Sequence, residues 1–122
     1  MAETVNNMEI KIIKNPIKKQ ELIDMAEKQF GELVKVVVDV KQEIIAVGGE
    51  MHADEEVALI EQERSKREDT WGINLYPKKP EKEWIEYDSV INIKPSFNNR
   101  SREVEGSENK GKIKNIIQKL II

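Results

Sequence analysis

One histidine stands in this chain, His52, and it falls in the run Gly48-Gly49-Glu50-Met51-His52-Ala53-Asp54-Glu55-Glu56. An imidazole titrates near neutrality and can move a proton in either direction. Glu50 and Glu55 lie close enough in sequence to partner it, so His52, Glu50 and Glu55 are the candidate acid–base residues. The same letters have a plainer meaning. Asp54 would cap a helix, Glu55 and Glu56 would complement its dipole, and His52 would sit at the surface or pack a loop. Metal chemistry is poorly served. The His-Ala pair lacks the downstream cysteine pair that zinc deaminases require, and Glu50, Asp54 and Glu55 would hold magnesium only weakly. No metal and no other cofactor is expected.

A second group is Asn98-Asn99-Arg100-Ser101-Arg102. Two guanidinium forks two residues apart can hold a phosphate or a carboxylate, with Asn98, Asn99 and Ser101 adding hydrogen bonds. From Lys94 onward Lys and Arg outnumber Glu, although the whole chain carries a net charge of −3. A local positive field of this kind steers anionic partners. The alternative is a solvated loop whose arginines pair with Glu103 and Glu105. Ser101 is not a nucleophile candidate, because no Gly-x-Ser-x-Gly elbow surrounds it. Neither a lysine-bearing phosphate loop nor a dinucleotide fingerprint is present. Asn74, Asp88 and Asn92 complete the candidate ligand-binding residues: polar groups inside apolar segments either line a site or face solvent.

The elements that must position these residues follow from hydrophobic period and turn chemistry. Met8–Lys14 alternates and predicts a first strand. Leu22, Met25, Ala26 and Phe30 recur at helical spacing within Lys18–Phe30, and Gly31 stops that helix. Valine-rich Leu33–Val40 and then Ile44–Val47 predict two strands paired as a hairpin. Asp54–Arg64 predicts a helix with Val57, Ile60 and Arg64 at helical spacing. Trp71–Tyr76 predicts a strand, and Trp84–Lys94 alternates over its full length, predicting one long strand. A last helix follows Ser107, with Ile113, Ile116, Ile117 and Leu120 as its stripe. The order is β-α-β-β-α-β-β-α. It predicts an α+β fold, a mostly antiparallel sheet of about five strands, with three helices covering one face.

A chain of 122 residues without cysteine fits one domain, expected over residues 8–122, with 1–7 as an appendage and Met8 as the natural start. Absence of cysteine excludes disulfides and thiolate zinc sites and suits the cytoplasm. No apolar run reaches the length of a membrane helix, and no signal peptide is visible. The negative balance opposes a duplex-DNA coat, whose affinity rests on phosphate neutralisation.

Three blocks together resemble a family of small bacterial proteins catalogued as a domain of unknown function: Val47–Glu56, Trp71-Gly72-Ile73-Asn74-Leu75-Tyr76-Pro77, and Ile91–Ser96 continued by Asn99-Arg100-Ser101-Arg102. The resemblance implies a small stand-alone domain and brings no activity with it. Three functional readings therefore stand. The first is a binding domain whose Asn/Arg loop holds an anion such as RNA, a nucleotide or an acidic partner. The second is a small metal-independent phosphodiester hydrolase, ribonuclease-like and of the toxin kind, using His52, Glu50 or Glu55, Arg100 and Arg102. The third is a structural, oligomeric partner protein anchored by an exposed Trp71 or Trp84.

Overall fold

Alternating side chains decide which strands form and which way they face. The computed structural model describes residues 9–122; the expected appendage 1–7, and Met8 at the head of the expected first strand, lie outside them. The elements are β1 (Lys11–Ile13), α1 (Lys19–Lys28), β2 (Val34–Asp39), β3 (Ile44–Val47), α2 (His52–Glu63), β4 (Thr70–Leu75), β5 (Ile85–Glu86) and α3 (Ser107–Leu120). They form one sheet in the order β1-β3-β2-β4-β5, and every neighbouring pair is antiparallel.

β-branched valines favour the extended backbone of β2. Its turn to β3 is set by Asp39, whose Oδ1 accepts the backbone N–H groups of Lys41 and Gln42. The β2–β3 hairpin is then registered with Val36 opposite Val47 and Val38 opposite Ile45. Gly31, at φ +93°, ends the α1 region by returning its N–H to Ala26 O.

Val34, Val36, Val38, Ile45, Val47, Trp71, Ile73 and Leu75 point to one face, where Leu22 and Ala26 of α1 and Ile113, Ile116, Ile117 and Leu120 of α3 meet them. Val37, Ile44 and Ala46 point to the other, beneath Leu59 of α2 and Ile91. The three helices therefore do not share a face, as the sequence had suggested. Connection handedness explains the split. Both β1-α1-β2 and β3-α2-β4 skip one strand in the same direction along the sheet, but β3 runs opposite to β1. Two right-handed crossovers of opposite strand polarity must lie on opposite faces.

The expected long strand Trp84–Lys94 does not form. Only Ile85 and Glu86 pair with β4, opposite Leu75 and Asn74. Ser89 then turns the chain, its Oγ accepting the N–H of Ile91, into a 3-10 turn over Val90–Asn92. Side chains take the place of the missing strand along β4. Asn92 Oδ1 accepts the N–H of Gly72 and Asn92 Nδ2 donates to Gly72 O. Lys94 Nζ donates to Thr70 O and to Arg67 O. Backbone groups that a strand would have paired are thus satisfied by an amide and an ammonium.

Trp71 and Trp84 are buried, at 3% and 7% exposure, so neither is the exposed interface anchor that the third reading needed. Among the described residues no helix is long and apolar enough to cross a membrane.

Candidate functional site

Helix α2 begins at His52, two residues before the expected cap Asp54, and Met51 precedes it without a side-chain cap. The shift changes which side chains face inward. His52, Glu55, Glu56, Ala58 and Leu59 are buried, whereas Val57 and Ile60 are 49% and 39% exposed. A largely polar stripe therefore lies on the sheet.

His52 Nε2 lies 2.8 Å from Ile73 O. A carbonyl only accepts, so Nε2 carries the proton and the neutral ring presents its lone pair at Nδ1. The ring fits because position 72 is glycine: a Cβ there would come within 2.6 Å of Ser89 and 3.2 Å of His52 Cδ2. Burial lowers the imidazole pKa below its ordinary 6.5, against the opposing pull of the Ile73 carbonyl. The charges of Lys35, Asp88 and Arg102 also reach the ring.

Glu55 follows one helical turn later. It is fully buried, and its Oε2 accepts the N–H of Gly49 at 2.8 Å. Gly49 too has no room for a side chain, since its Cβ would meet Glu55 Cγ at 2.8 Å. Glu55 Oε1 has no hydrogen-bond partner among the described residues. Burial raises the carboxyl well above 4.5, and the Gly49 N–H and the Lys35 charge only partly offset it. One helix thus carries an imidazole pushed down at i and a carboxyl pushed up at i+3, opposite shifts with the same cause, burial.

Beside them a polar row crosses the sheet. Lys35 of β2 stands opposite Asn74 of β4, which stands opposite Glu86 of β5. Asn74 Nδ2 donates to Glu86 Oε1 at 2.9 Å and to Asp88 O at 3.4 Å. Tyr76 Oη donates to the same Glu86 oxygen at 3.0 Å. Asp88 holds Arg102 through a 2.7 Å bond in which both side chains remain about half exposed, 42% and 52%. That bond pulls the Asp88 carboxyl below its ordinary range and lifts Arg102. A shallow depression of about 310 Å³ lined by Glu86, Tyr87, Asp88 and Glu103 opens alongside.

The structure thus places Asn74, Asp88 and Arg102 around His52, and Lys35 links Glu55, one turn further along α2, to that group. Other expected site residues lie apart or do other work. Glu50 is exposed ahead of α2. Asn92 is wholly buried and spends its amide on Gly72 and on Arg102 O. Asn99 donates to the carbonyls of Asn92, Ser101 and Glu103 and accepts the N–H of Glu105. Ser101 Oγ accepts the N–H of Glu103. Asn98, at φ +65°, and Arg100 are exposed on the loop so braced. Arg100's backbone N–H goes to Glu105.

Sequence reasoning missed Lys35, Tyr76 and Glu86. A lysine inside Val34-Lys35-Val36-Val37-Val38 was the available signal, because a half-buried charge in such a strand needs a reason. It also missed an ion pair made by the next residue of α2, Glu56. Glu56 receives Arg67 Nη1 at 3.0 Å and Thr70 Oγ1 at 2.5 Å, while Arg67 also donates to Ile91 O and Ile93 O. Among the described residues no group of three or more His, Asp and Glu side chains is placed to hold a metal ion.

Residues 11–120 match the family described as Protein of unknown function (DUF5674). The chain belongs to that family. The matched span covers every helix and strand from β1 to α3. No curated protein and no solved structure matches the chain. Membership in DUF5674 carries no reaction with it, so the functional reading rests on the geometry above.

Proposed function

We propose that the chain is a small acid–base hydrolase of phosphodiesters acting at the first turn of α2. The observation that carries this reading is the pair His52 and Glu55, buried one turn apart on the sheet-facing side of one helix with Lys35 in electrostatic reach of both. His52 Nδ1 takes a proton from water as the water oxygen bonds to phosphorus. The ester P–O bond breaks, and the leaving oxygen takes the proton of Glu55. The imidazolium and the carboxylate then regain their starting states through solvent. Lys35 and Arg102 hold the non-bridging oxygens as charge builds on them. Asp88 orients Arg102 through their 2.7 Å bond. A cysteine-free chain suits a reducing cytoplasm for this work.

The test is turnover of bis(4-nitrophenyl) phosphate and of labelled oligonucleotides. His52→Ala is expected to lower the rate by at least about a hundredfold, the usual worth of a positioned base. Turnover unchanged in that variant rejects the reading.

A second reading, binding without turnover, is favoured by one observation. The Asn99 side chain donates to three carbonyls and accepts the N–H of Glu105, which braces the loop and displays Asn98 and Arg100 at its exposed tip. It expects oligonucleotide binding that Arg100→Glu weakens and His52→Ala leaves alone.

A further inference from the structure

Asn74 holds the one amide in the polar row whose two arms are treated differently. Both hydrogens of Nδ2 are spent toward β5, on Glu86 Oε1 and on Asp88 O. Those partners fix the amide's orientation, because the swapped arrangement would set Oδ1 against two acceptors. Oδ1 is therefore turned away from β5. On that side Lys35 is the cross-strand neighbour and His52 lies over the adjacent Ile73 carbonyl. Yet Oδ1 is buried and accepts no hydrogen bond among the described residues, in a side chain only 8% exposed. A buried acceptor without a donor is a standing cost to the fold, and native proteins seldom keep one without use. On the side that Oδ1 faces, Lys35 is only half-buried, and its long side chain leaves the approach from solvent adjustable.

We infer that Asn74 Oδ1 accepts a hydroxyl of the substrate beside the scissile phosphodiester, so that the site takes ribose strands in preference to deoxyribose strands. The inference rests on the hydrolase reading and adds the substrate class. A polymer with a 2′-hydroxyl supplies the missing donor one sugar carbon from the phosphate ester. A deoxyribose strand leaves Oδ1 unpaired when bound and forfeits that interaction. A basic group such as Lys35 cannot make this distinction, since both polymers present the same phosphate.

Three matched oligonucleotides test it with the full chain: ribose, 2′-deoxyribose, and 2′-fluoro, which keeps an acceptor but has no donor. The ribose strand is expected to be cleaved about tenfold faster or more than both others. In Asn74→Ala that ratio is expected to fall toward one. A merely structural role for Asn74 would slow all strands alike and leave the ratio intact. Cleavage of the 2′-fluoro strand as fast as the ribose strand, or an unchanged ratio in Asn74→Ala, overturns the inference and leaves the hydrolase standing. No cleavage of any strand by the intact chain overturns both. The substrate series needs no variant, so it decides even if Asn74→Ala folds poorly.

Discussion

The two faces of the sheet are built by different rules. Toward α1 and α3 the fully buried side chains are hydrocarbon: Leu22, Ile45, Ile73, Leu75, Ile113 and Ile117. Beneath α2, Val37, Ala46, Leu59 and Ile91 share the space with His52, Glu55, Glu56, Thr70, Asn74 and Asn92. A hydrocarbon face is satisfied by shape and volume, so many sequences fill it. A buried polar face needs a named partner for each group, and one lost partner leaves another group exposed to the low dielectric. The chain thus concentrates its least replaceable residues on one side. That asymmetry, more than the fold class, carries the proposal of a site on the α2 side.

Three measurements press on this contrast. The largest effect is expected for Asn92→Ala, which removes the partners of Gly72 N–H, Gly72 O and Arg102 O together. Urea unfolding should show a loss of about 4 kcal/mol; a loss under about 1 kcal/mol would mean the amide's bonds are readily replaced by water.

Lys94 gives the next. The residue is 3% exposed, its ammonium lies 4.0 Å from the Trp71 ring centre, and burial first, then the Arg67 charge, lower its pKa from 10.5 to about 8. The folded state therefore binds fewer protons than the unfolded state between those values. Below pH 8 the cost of the buried charge is present in full, and stability should climb as pH rises from about 8 toward 10.5. Complete relief is worth about 3 kcal/mol. Comparing wild type with Lys94→Met at pH 7 and pH 10 isolates this term; parallel changes in the two proteins would remove Lys94 as its source. The smallest effect is expected on the hydrocarbon face. Ile117→Val should cost about 1 kcal/mol, with turnover unaltered; a larger loss of turnover than of stability would join that face to the site.

The hydrocarbon face was legible in the sequence because period and burial agree there. Leu22 and Ala26, the Val34-Val36-Val38 series and the Ile113-Ile116-Ile117-Leu120 stripe all face where their spacing points. The other face misled for a physical reason. Val57 and Ile60 carry the apolar spacing on α2, yet His52, Glu55 and Glu56 take the inside, because each finds a specific acceptor or donor on the sheet or its flank. Hydrophobic period cannot register such pairings. Alternation likewise suggested a strand across Trp84–Lys94, but alternation also arises when a folded-over segment sends Ile91 to one cluster and Trp84 to another. Of the site, His52, Glu55, Asn74, Asp88 and Arg102 were visible as residue types. Their convergence was not, since it depends on a strand register and on a turn at Ser89.

The amide of Asn92 has one more consequence. Over 70–73, β4 has no strand on its outer side among the described residues, and its sequence Thr70-Trp71-Gly72-Ile73 is rich in groups that favour cross-strand stacking. A bare edge of that composition is a template on which other copies of the chain can add. Asn92 occupies both the donor and the acceptor of Gly72 and so closes the middle of the template. With Lys94 Nζ on Thr70 O, the outward backbone groups of this edge are spent inside the chain, and a second copy finds little there to pair with.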